Sequence, residues 1–225
     1  MPTPTDPEGL SFAALKAKQR AIRDGFPDAH GLRVHRALSW LNRAELAGDD
    51  HDAAFIFYWI AFNAAYADDR DEAVPSGERS AFDDYFRKIT DLDGDHRVYA
   101  AIWERFPQSI RLLLDNKYVF QPFWKHQNRV AGHEDWEARL ARSRKRTQSA
   151  LADRDTRVVL TFLFDRLYVL RNQLIHGGAT WNSSVNRDQV RDGARIMGFL
   201  VPIFIDLMMD NAALAWGAPH YPVVE

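Results

Sequence analysis

A chain of 225 residues, 46% hydrophobic and 27% charged, is long enough for one domain with a sizeable core and does not have the composition of a disordered chain. The formal net charge of -2 excludes an overall positive field for long polyanions, so any contact with a nucleic acid must be local. The absence of cysteine excludes disulfides, thiolate nucleophiles and cysteine-containing zinc sites, and it favours a cytoplasmic location.

The amino-terminal region predicts a disordered start followed by a peripheral helix. Residues 1–10 are rich in proline and carry no basic segment followed by an apolar one, so we expect no secretory signal. The longest apolar stretch of the chain, residues 196–209, spans about 14 residues and contains Pro202 and Asp206. A bilayer requires roughly 20 apolar residues, so we expect a core helix there and no membrane contact.

Two further helices are predicted in the first third of the chain. Residues 31–47 place leucines and a tryptophan among arginines and histidines at helical spacing, which indicates an amphipathic helix. Residues 53–67 are apolar on every face except at Asn63, which is typical of a helix at the centre of a bundle. Asn63 would then need a buried hydrogen-bond partner.

Glycine and proline residues divide the middle of the chain into short predicted helices. These segments are residues 78–92, 97–106, 108–118 and 120–128. Residues 134–151 predict a polar helix with acidic residues first and basic residues later, an order that suits the helix dipole. Its basic residues could contact phosphate or simply form a solvated face. We interpret residues 75–153 as inserted or lid helices.

Two long core helices are predicted at the end of the chain, at residues 156–175 and 186–211. Asn186 with Gln189 three residues later resembles a capping box at the start of the second helix. Pro202 should kink that helix.

Gly193 and Gly198 lie on the same helix and should permit close packing. The sequence has no internal repeat and no strand-like alternation. The predicted fold class is therefore all-α: a single domain over residues 1–225, built as an up-and-down helical bundle with extra helices inserted in the middle.

Polar residues recur along one face of the predicted helix at residues 156–175. They are Thr161, Asp165, Tyr168, Asn172 and His176. Most other residues of the helix are apolar, so this stripe needs other polar groups, water or a ligand as partners. It marks either a structural network or a site.

The stripe ends in Arg171-Asn-Gln-Leu-Ile-His176, followed by Gly177 and Gly178, which favour helix termination. Arg171 and His176 are separated by about 140° around the helix and about 7.5 Å along it, so they do not share a face. They converge only if the arginine bends toward the histidine or if a second subunit supplies one of them. Alternatively, both simply stabilise the helix end.

The loop after this helix end returns further polar groups. It contains Trp181 and Asn182 and leads to Arg187, and these three residues are candidates for substrate binding. The loop could equally be only a polar connection.

Two segments resemble a known family. Residues 171–176 match the signature of HEPN domains, an arginine, four to six residues and a histidine, with a polar residue directly after the arginine. Residues 59–66 resemble a helix of Apea-like members. The resemblance covers about residues 33–66 and 156–211. It implies a helical bundle that dimerises so that two motifs meet in one cleft and, in active members, metal-independent RNA cleavage. Many members are toxins or defence proteins.

The resemblance assigns roles to individual residues. His176 would act as general base on a ribose 2′-hydroxyl or as acid to the leaving 5′-oxygen, because imidazole titrates near neutrality. Arg171 would hold the scissile phosphate and stabilise its transition state. Asn172 would orient His176 or the phosphate, and Asn63 would give weaker support from a neighbouring helix. We expect no metal and no cofactor.

Partners and rival functions remain open at this point. An antitoxin or an associated defence protein would fit the family. The HEPN partners of nucleotidyltransferase antitoxins often carry a modified tyrosine two residues after the histidine, but this sequence has Gly178 there, which argues against that mode of neutralisation. The main alternative is a non-catalytic module that binds RNA or nucleotide, or only dimerises. A metalloenzyme is disfavoured because its candidate ligands lack the His-Glu-x-x-His arrangement. Those candidates are His126, His133, Glu134 and Asp135.

Overall fold

The computed structural model describes residues 10–67, 78–219 and 221. Helices, turns and loops make up this part of the chain, and it contains no strand, so the all-α prediction is confirmed. The predicted disordered start, residues 1–10, lies outside the described residues except for its last position. No helix in the described ranges combines the length and the apolar character that crossing a bilayer would require.

Ten α-helices form the described part of the chain. They are α1 (Phe12–Ile22), α2 (Asp28–Glu45), α3 (His51–Tyr66), α4 (Glu78–Leu92), α5 (Arg97–Ala100), α6 (Pro107–Asp115), α7 (Gln121–Gln127), α8 (Trp136–Ala152), α9 (Thr156–Ile175) and α10 (Arg187–Asp210). A π-helical stretch, Ala101–Arg105, continues α5 and gives it nearly the predicted extent.

Side-chain caps fix the starts of several helices. Asp50 accepts a hydrogen bond from the Ala53 amide at the start of α3, and Asp155 accepts one from Val158 at the start of α9, both at 3.0 Å. Such caps satisfy amides that have no partner within the helix. The capping box predicted at α10 is wrong. The Asn186 side chain makes no cap bond, because a backbone at φ −122°, ψ 20° is outside the extended conformation of a capping residue.

The core of the bundle is a cluster of buried aromatic rings centred on Phe62 of α3. Its ring centroid lies 4.4 Å from that of Phe164 on α9, 6.0 Å from Phe86 on α4 and 6.2 Å from Phe204 on α10. One ring therefore joins four helices. Since aromatic side chains bury large apolar areas, this cluster is a major source of the packing energy of the bundle.

Two glycines allow α10 to approach its neighbours, as the sequence predicts. A Cβ atom at Gly193 would lie 3.1 Å from the ring of Phe55, and one at Gly198 would lie 3.0 Å from the ring of Tyr58. Real side chains rarely tolerate such distances in a packed core. The helix continues through Pro202 to its end at Asp210.

The predicted insertion, residues 75–153, contributes partly to the main core instead of lying over it. Phe82 and Phe86 of α4 and Leu113 of α6 are buried in the same cluster as α3, α9 and α10. A smaller cluster lies apart from this core. Its members are Phe120, Phe123, Leu140 and the partly buried Trp136. Residues of α7, α8 and the turn before α7 thus form a smaller layer, while Ala150 of α8 belongs to the main core.

Two fully buried arginines were not anticipated by the hydrophobic pattern. Arg33 donates to the carbonyls of Ala65 and Ala67 at the end of α3, at 2.9 and 2.7 Å, and to those of Gly217 and Ala218 at 3.2 and 3.1 Å. These bonds compensate for removing the guanidinium from water. Arg33 thereby attaches the last described segment of the chain to the bundle.

The second buried arginine, Arg166, connects α9 to the smaller layer. Its guanidinium donates to the Ser143 hydroxyl at 3.0 Å and to the Leu114 carbonyl at 3.4 Å, and it lies 4.6 Å above the ring of Phe120. The positive charge of Arg166 is therefore stabilised by these oxygen atoms and by the face of the Phe120 ring.

Candidate functional site

The end of α9 and the starts of α3 and α10 meet at one end of the bundle. Trp181, in the loop after α9, donates from Nε1 to Asp50 at the start of α3, at 3.2 Å. Arg187, the first residue of α10, donates from Nη1 to Asp52 at 2.5 Å. The structure thus brings six of the seven predicted site residues to one region. They are Arg171, Asn172, His176, Trp181, Asn182 and Arg187.

The helix end has the predicted geometry. The amide of His176 donates to the carbonyl of Asn172 at 3.0 Å, and that of Gly178 donates to the carbonyl of Gln173 at 2.7 Å. Gly177 has φ +69°, which a glycine adopts without strain and which ends the helix. The imidazole of His176 is exposed and forms no side-chain hydrogen bond with a described residue.

Arg171 is oriented by its neighbours without being neutralised by them. Its Nη1 donates to Oδ1 of Asn172 at 2.8 Å, and its guanidinium carbon lies 5.9 Å from the ring centroid of Tyr168. Its Nε is buried without a hydrogen-bond partner among the described residues, and none of their carboxylates forms a salt bridge with it. A guanidinium in this state can bind an anion. The side chain of Asn172 thus contacts Arg171 and not His176.

Arg187 holds the loop through contacts of its Nη1, whereas its Nε and Nη2 are buried without a hydrogen-bond partner among the described residues. Besides its ion pair with Asp52, its Nη1 donates to Oδ1 of Asn182 at 3.0 Å. Asn182 adopts φ +54°, a left-handed conformation that asparagine tolerates better than most residues. Trp181 offers a large exposed aromatic surface, with 73% of the residue accessible.

Asp50, whose carboxylate accepts the hydrogen bond from Trp181, is the N-cap residue of α3. The amide of Ala53 lowers the pKa of Asp50, and the hydrogen bond from Trp181 lowers it further. Asp50 is thus favoured in its charged form, which also suits the positive end of a helix dipole. This end of the bundle is therefore held by a charged hydrogen-bond network.

Asn63 does not lie at this end. The ring of Phe62 packs on Phe164, and that of Trp59 packs on Phe164 and Tyr168, so α3 and α9 run antiparallel. At 1.5 Å per residue, Asn63 is separated from His176 by about 20 Å along the bundle. Its Oδ1 is buried without a partner among the described residues. Within one protomer, Asn63 therefore lies too far from His176 to support the site, contrary to the prediction.

The polar stripe on α9 lies on a half-buried face. Thr161, Asp165, Tyr168 and Asn172 are all partly exposed, whereas complete burial is confined to the opposite side of the helix. Thr161 donates to the carbonyl of Arg157 at 3.1 Å, a bond within its own helix. The face is open because no described helix covers it completely.

A cavity of about 430 Å³ opens beside the loop that follows His176. Its walls come from the turn before α7 and from α7, α9, α10 and the connecting loop. They include Tyr118, Trp124, Leu170, Gln173, Asn186 and Gln189. The sequence analysis missed this cavity because residues 118–124 are about 50 positions from α9 in the chain.

The described residues contain no group of three or more histidine, aspartate or glutamate side chains arranged to hold a metal ion. Of the metal-ligand candidates considered above, His126 packs on the ring of Trp136, with ring centroids 6.2 Å apart. His133 contacts the guanidinium of Arg139 at 3.4 Å. Each is thus engaged in a local contact.

Comparison with known proteins finds no matching protein-family model, curated protein or solved structure. The class that the fold and site define is an all-α bundle with a partly buried arginine and an exposed histidine at the end of a core helix. The resemblance to HEPN domains is carried by residues 171–176 and 59–66 alone.

Proposed function

We propose that this protein is a metal-independent endoribonuclease of the HEPN type, acting in the cytoplasm as a toxin or a phage-defence effector. One observation carries the proposal. Arg171, which is partly buried, and His176, which is exposed, lie at the carboxyl end of the core helix α9, and neither forms a salt bridge with a described residue. A cationic group and a titratable group left available in this way suit a phosphodiester better than a purely structural helix end.

His176 supplies the proton transfers of the proposed reaction. A neutral imidazole takes the proton of a ribose 2′-hydroxyl, whose oxygen then bonds to the adjacent phosphorus. The bond from phosphorus to the 5′-oxygen breaks, and a protonated imidazole gives its proton to that oxygen. The products are a 2′,3′-cyclic phosphate and a 5′-hydroxyl. Two histidines from two protomers would supply both roles at once.

Arg171 binds the phosphate in this mechanism. Its forked guanidinium can donate two hydrogen bonds to the non-bridging oxygens and stabilise the additional charge of the pentacoordinate transition state. Asn172 holds Nη1 of Arg171 at 2.8 Å and so fixes the direction of the remaining donors. Pre-orientation of this kind lowers the cost of reaching the transition state.

A homodimer would complete the site. Arg171 and His176 project about 140° apart around α9, so two copies of the helix end can combine more easily than one can fold upon itself. The half-buried face of α9 supports this arrangement, since a second protomer would cover Tyr168 and the polar residues beside it. A symmetric interface pairs the same surface of each protomer.

Purified protein incubated with mixed RNA in excess EDTA tests the proposal. The wild type should fragment RNA, and His176→Ala should reduce the rate by at least about 100-fold, because general acid–base catalysis contributes about that much. His35→Ala is a matched control, since His35 is an exposed histidine on α2. RNA binding without cleavage by the wild type would favour the alternative, a non-catalytic binding module.

A further inference from the structure

We propose that the cavity beside the α9 end, lined by Tyr118, Trp124, Gln173, Asn186 and Gln189, binds one unpaired nucleobase of the RNA strand. This inference rests on the proposed function, because it supplies the base-binding part of the same site. The cavity of about 430 Å³ is large enough to admit a purine or a pyrimidine ring.

The aromatic wall of the cavity is held in a fixed orientation. Nε1 of Trp124 donates to the carbonyl of Tyr118 at 2.7 Å, and Nε2 of Gln173 donates to the same carbonyl at 2.5 Å. Both aromatic rings also pack edge-on against Phe123, with centroid distances of 5.1 and 5.5 Å. Despite these contacts, Trp124 is 37% exposed and Tyr118 is 53% exposed.

Exposed aromatic rings that are fixed in place are suited to stacking. A nucleobase presents an aromatic face whatever its identity, and stacking on tryptophan or tyrosine is a common way to hold single-stranded nucleic acid. Leu170 of α9 also lines the cavity and adds apolar surface. An isolated charged ligand would gain little from these walls.

The opposite wall offers hydrogen-bonding groups for the edge of a base. Asn186 and Gln189 both carry amides, and neither side chain forms a hydrogen bond within the described residues. Oδ1 of Asn186 is buried without a partner, an arrangement that is costly unless a ligand or a rearranged amide satisfies it. Amides supply both donors and acceptors, as base edges require.

The surrounding charges define which side of the cavity the phosphates approach. An adjacent cavity, which shares Gln189, is lined by Asp115, Asp188 and Asp192. Asp115 pairs with Arg144, and Asp188 and Asp192 both pair with Arg191, so these guanidinium groups are already engaged and attract the RNA backbone only weakly on that side. On the other side, Gly178 lines the base cavity and is only two residues from His176, so their Cα atoms are at most about 7.6 Å apart.

A base in the cavity would therefore place its neighbouring phosphate at the end of α9. A paired base cannot enter a pocket of this kind without leaving its helix, so the enzyme would act on single-stranded RNA and spare duplexes. The amides would add preference for particular bases at the position next to the cut.

Fluorine NMR of protein labelled with 5-fluorotryptophan tests this inference. The resonance of Trp124 is assigned from its absence in Trp124→Phe. The labelled protein is titrated with short 2′-O-methyl RNA oligomers, which cannot be cleaved through the 2′-oxygen, and with an abasic oligomer of the same length. The base-bearing oligomers should shift the Trp124 resonance saturably, and the abasic oligomer should not.

Variants separate the cavity from the catalytic groups. Gln189→Ala should weaken the oligomer affinity measured at Trp124 by about 5- to 10-fold, the effect of losing a hydrogen bond. His176→Ala should leave the shift in place, so the cavity is tested even if no RNA is cleaved. An unmoved Trp124 resonance, or an equal shift with the abasic oligomer, would overturn the inference. If RNA is cleaved but the Trp124 resonance does not move, the base-binding role of the cavity is rejected and the proposed function is not.

Discussion

Nη1 of Arg171 and Oδ1 of Asn172 are joined by a hydrogen bond of 2.8 Å, although the two residues are adjacent in the chain. This bond makes Asn172 a positioning residue for the phosphate-binding arginine. It also explains why a polar residue is useful directly after the arginine. The amide oxygen orients the guanidinium without cancelling its charge, which a carboxylate at the same position would do.

Two substitutions at Asn172 distinguish orientation from charge. Asn172→Ala should reduce kcat by about 10- to 100-fold with little change in KM, because a misdirected guanidinium stabilises the transition state less well. Asn172→Asp should instead raise KM, since a carboxylate beside Arg171 competes with phosphate. Steady-state kinetics on a fluorogenic RNA separates the two effects. If both variants changed kcat by the same factor and KM by the same factor, Asn172 would have no such role.

The ion pair between Arg187 and Asp52 predicts that Arg187 has a structural role, whereas the sequence analysis considers it a substrate-binding residue. Asp52→Asn should lower the free energy of unfolding by about 1–3 kcal/mol, because it removes the carboxylate from a largely buried guanidinium. Urea unfolding measures the change. Asp91→Asn, at an exposed position of α4, is the control and should have an effect within about 0.5 kcal/mol. An unchanged stability of Asp52→Asn would mean that Arg187 is available for substrate.

Arg33 should be essential for attaching the end of the described chain. Arg33→Met leaves four carbonyl groups without their donor and should lower the free energy of unfolding by about 3 kcal/mol. Hydrogen exchange should also increase in residues 211–219. Arg23→Met, on an exposed side chain, should change the stability by no more than about 0.5 kcal/mol. Unchanged exchange in residues 211–219 would contradict this role.

His30 should make stability depend on pH. It is 4% exposed, its ring packs edge-on against Phe26, and both ring nitrogens lack partners among the described residues. Burial, and secondarily the charge of Arg33, lowers the pKa of His30 below its usual value of 6.5. The unfolded chain then binds the proton more readily, so this contribution to stability is present above about pH 6.5 and is lost as the pH falls below it.

Unfolding experiments at several pH values test this dependence. The wild type should lose stability as the pH falls below about 6.5, and His30→Leu should reduce the slope in that range by removing the titrating group. His35→Leu, at an exposed position of the same helix, should leave the slope unchanged. Parallel pH profiles for the wild type and His30→Leu would contradict the assignment.

The ends of α9 were predicted correctly, because local chemistry determines them. The predicted helix at residues 156–175 matches α9 at both ends, where Asp155 caps the start and Gly177 terminates the last turn. The position of Arg171 and His176 at an exposed helix end was therefore predictable. The buried state of Arg166 was not, because its oxygen partners lie on Leu114 and Ser143, far away in the sequence.

Long-range packing also explains the parts of the site that the sequence did not predict correctly. The position of Asn63 depends on the antiparallel alignment of α3 and α9, which is defined by the packing of Phe62 on Phe164 and of Trp59 on Tyr168. The base cavity likewise requires residues 118–124 to fold against the end of α9. Periodicity and caps contain no information on either alignment.

The ends of the RNA products test the central claim most directly. A short single-stranded RNA is incubated with the protein in EDTA, and the fragments are analysed by mass spectrometry. Attack by the 2′-hydroxyl, assisted by His176, predicts fragments that end in a 2′,3′-cyclic phosphate and begin with a 5′-hydroxyl, and predicts no cleavage where the ribose is 2′-O-methylated. Fragments with a 3′-hydroxyl and a 5′-phosphate, or equal cleavage of the methylated strand, would contradict it.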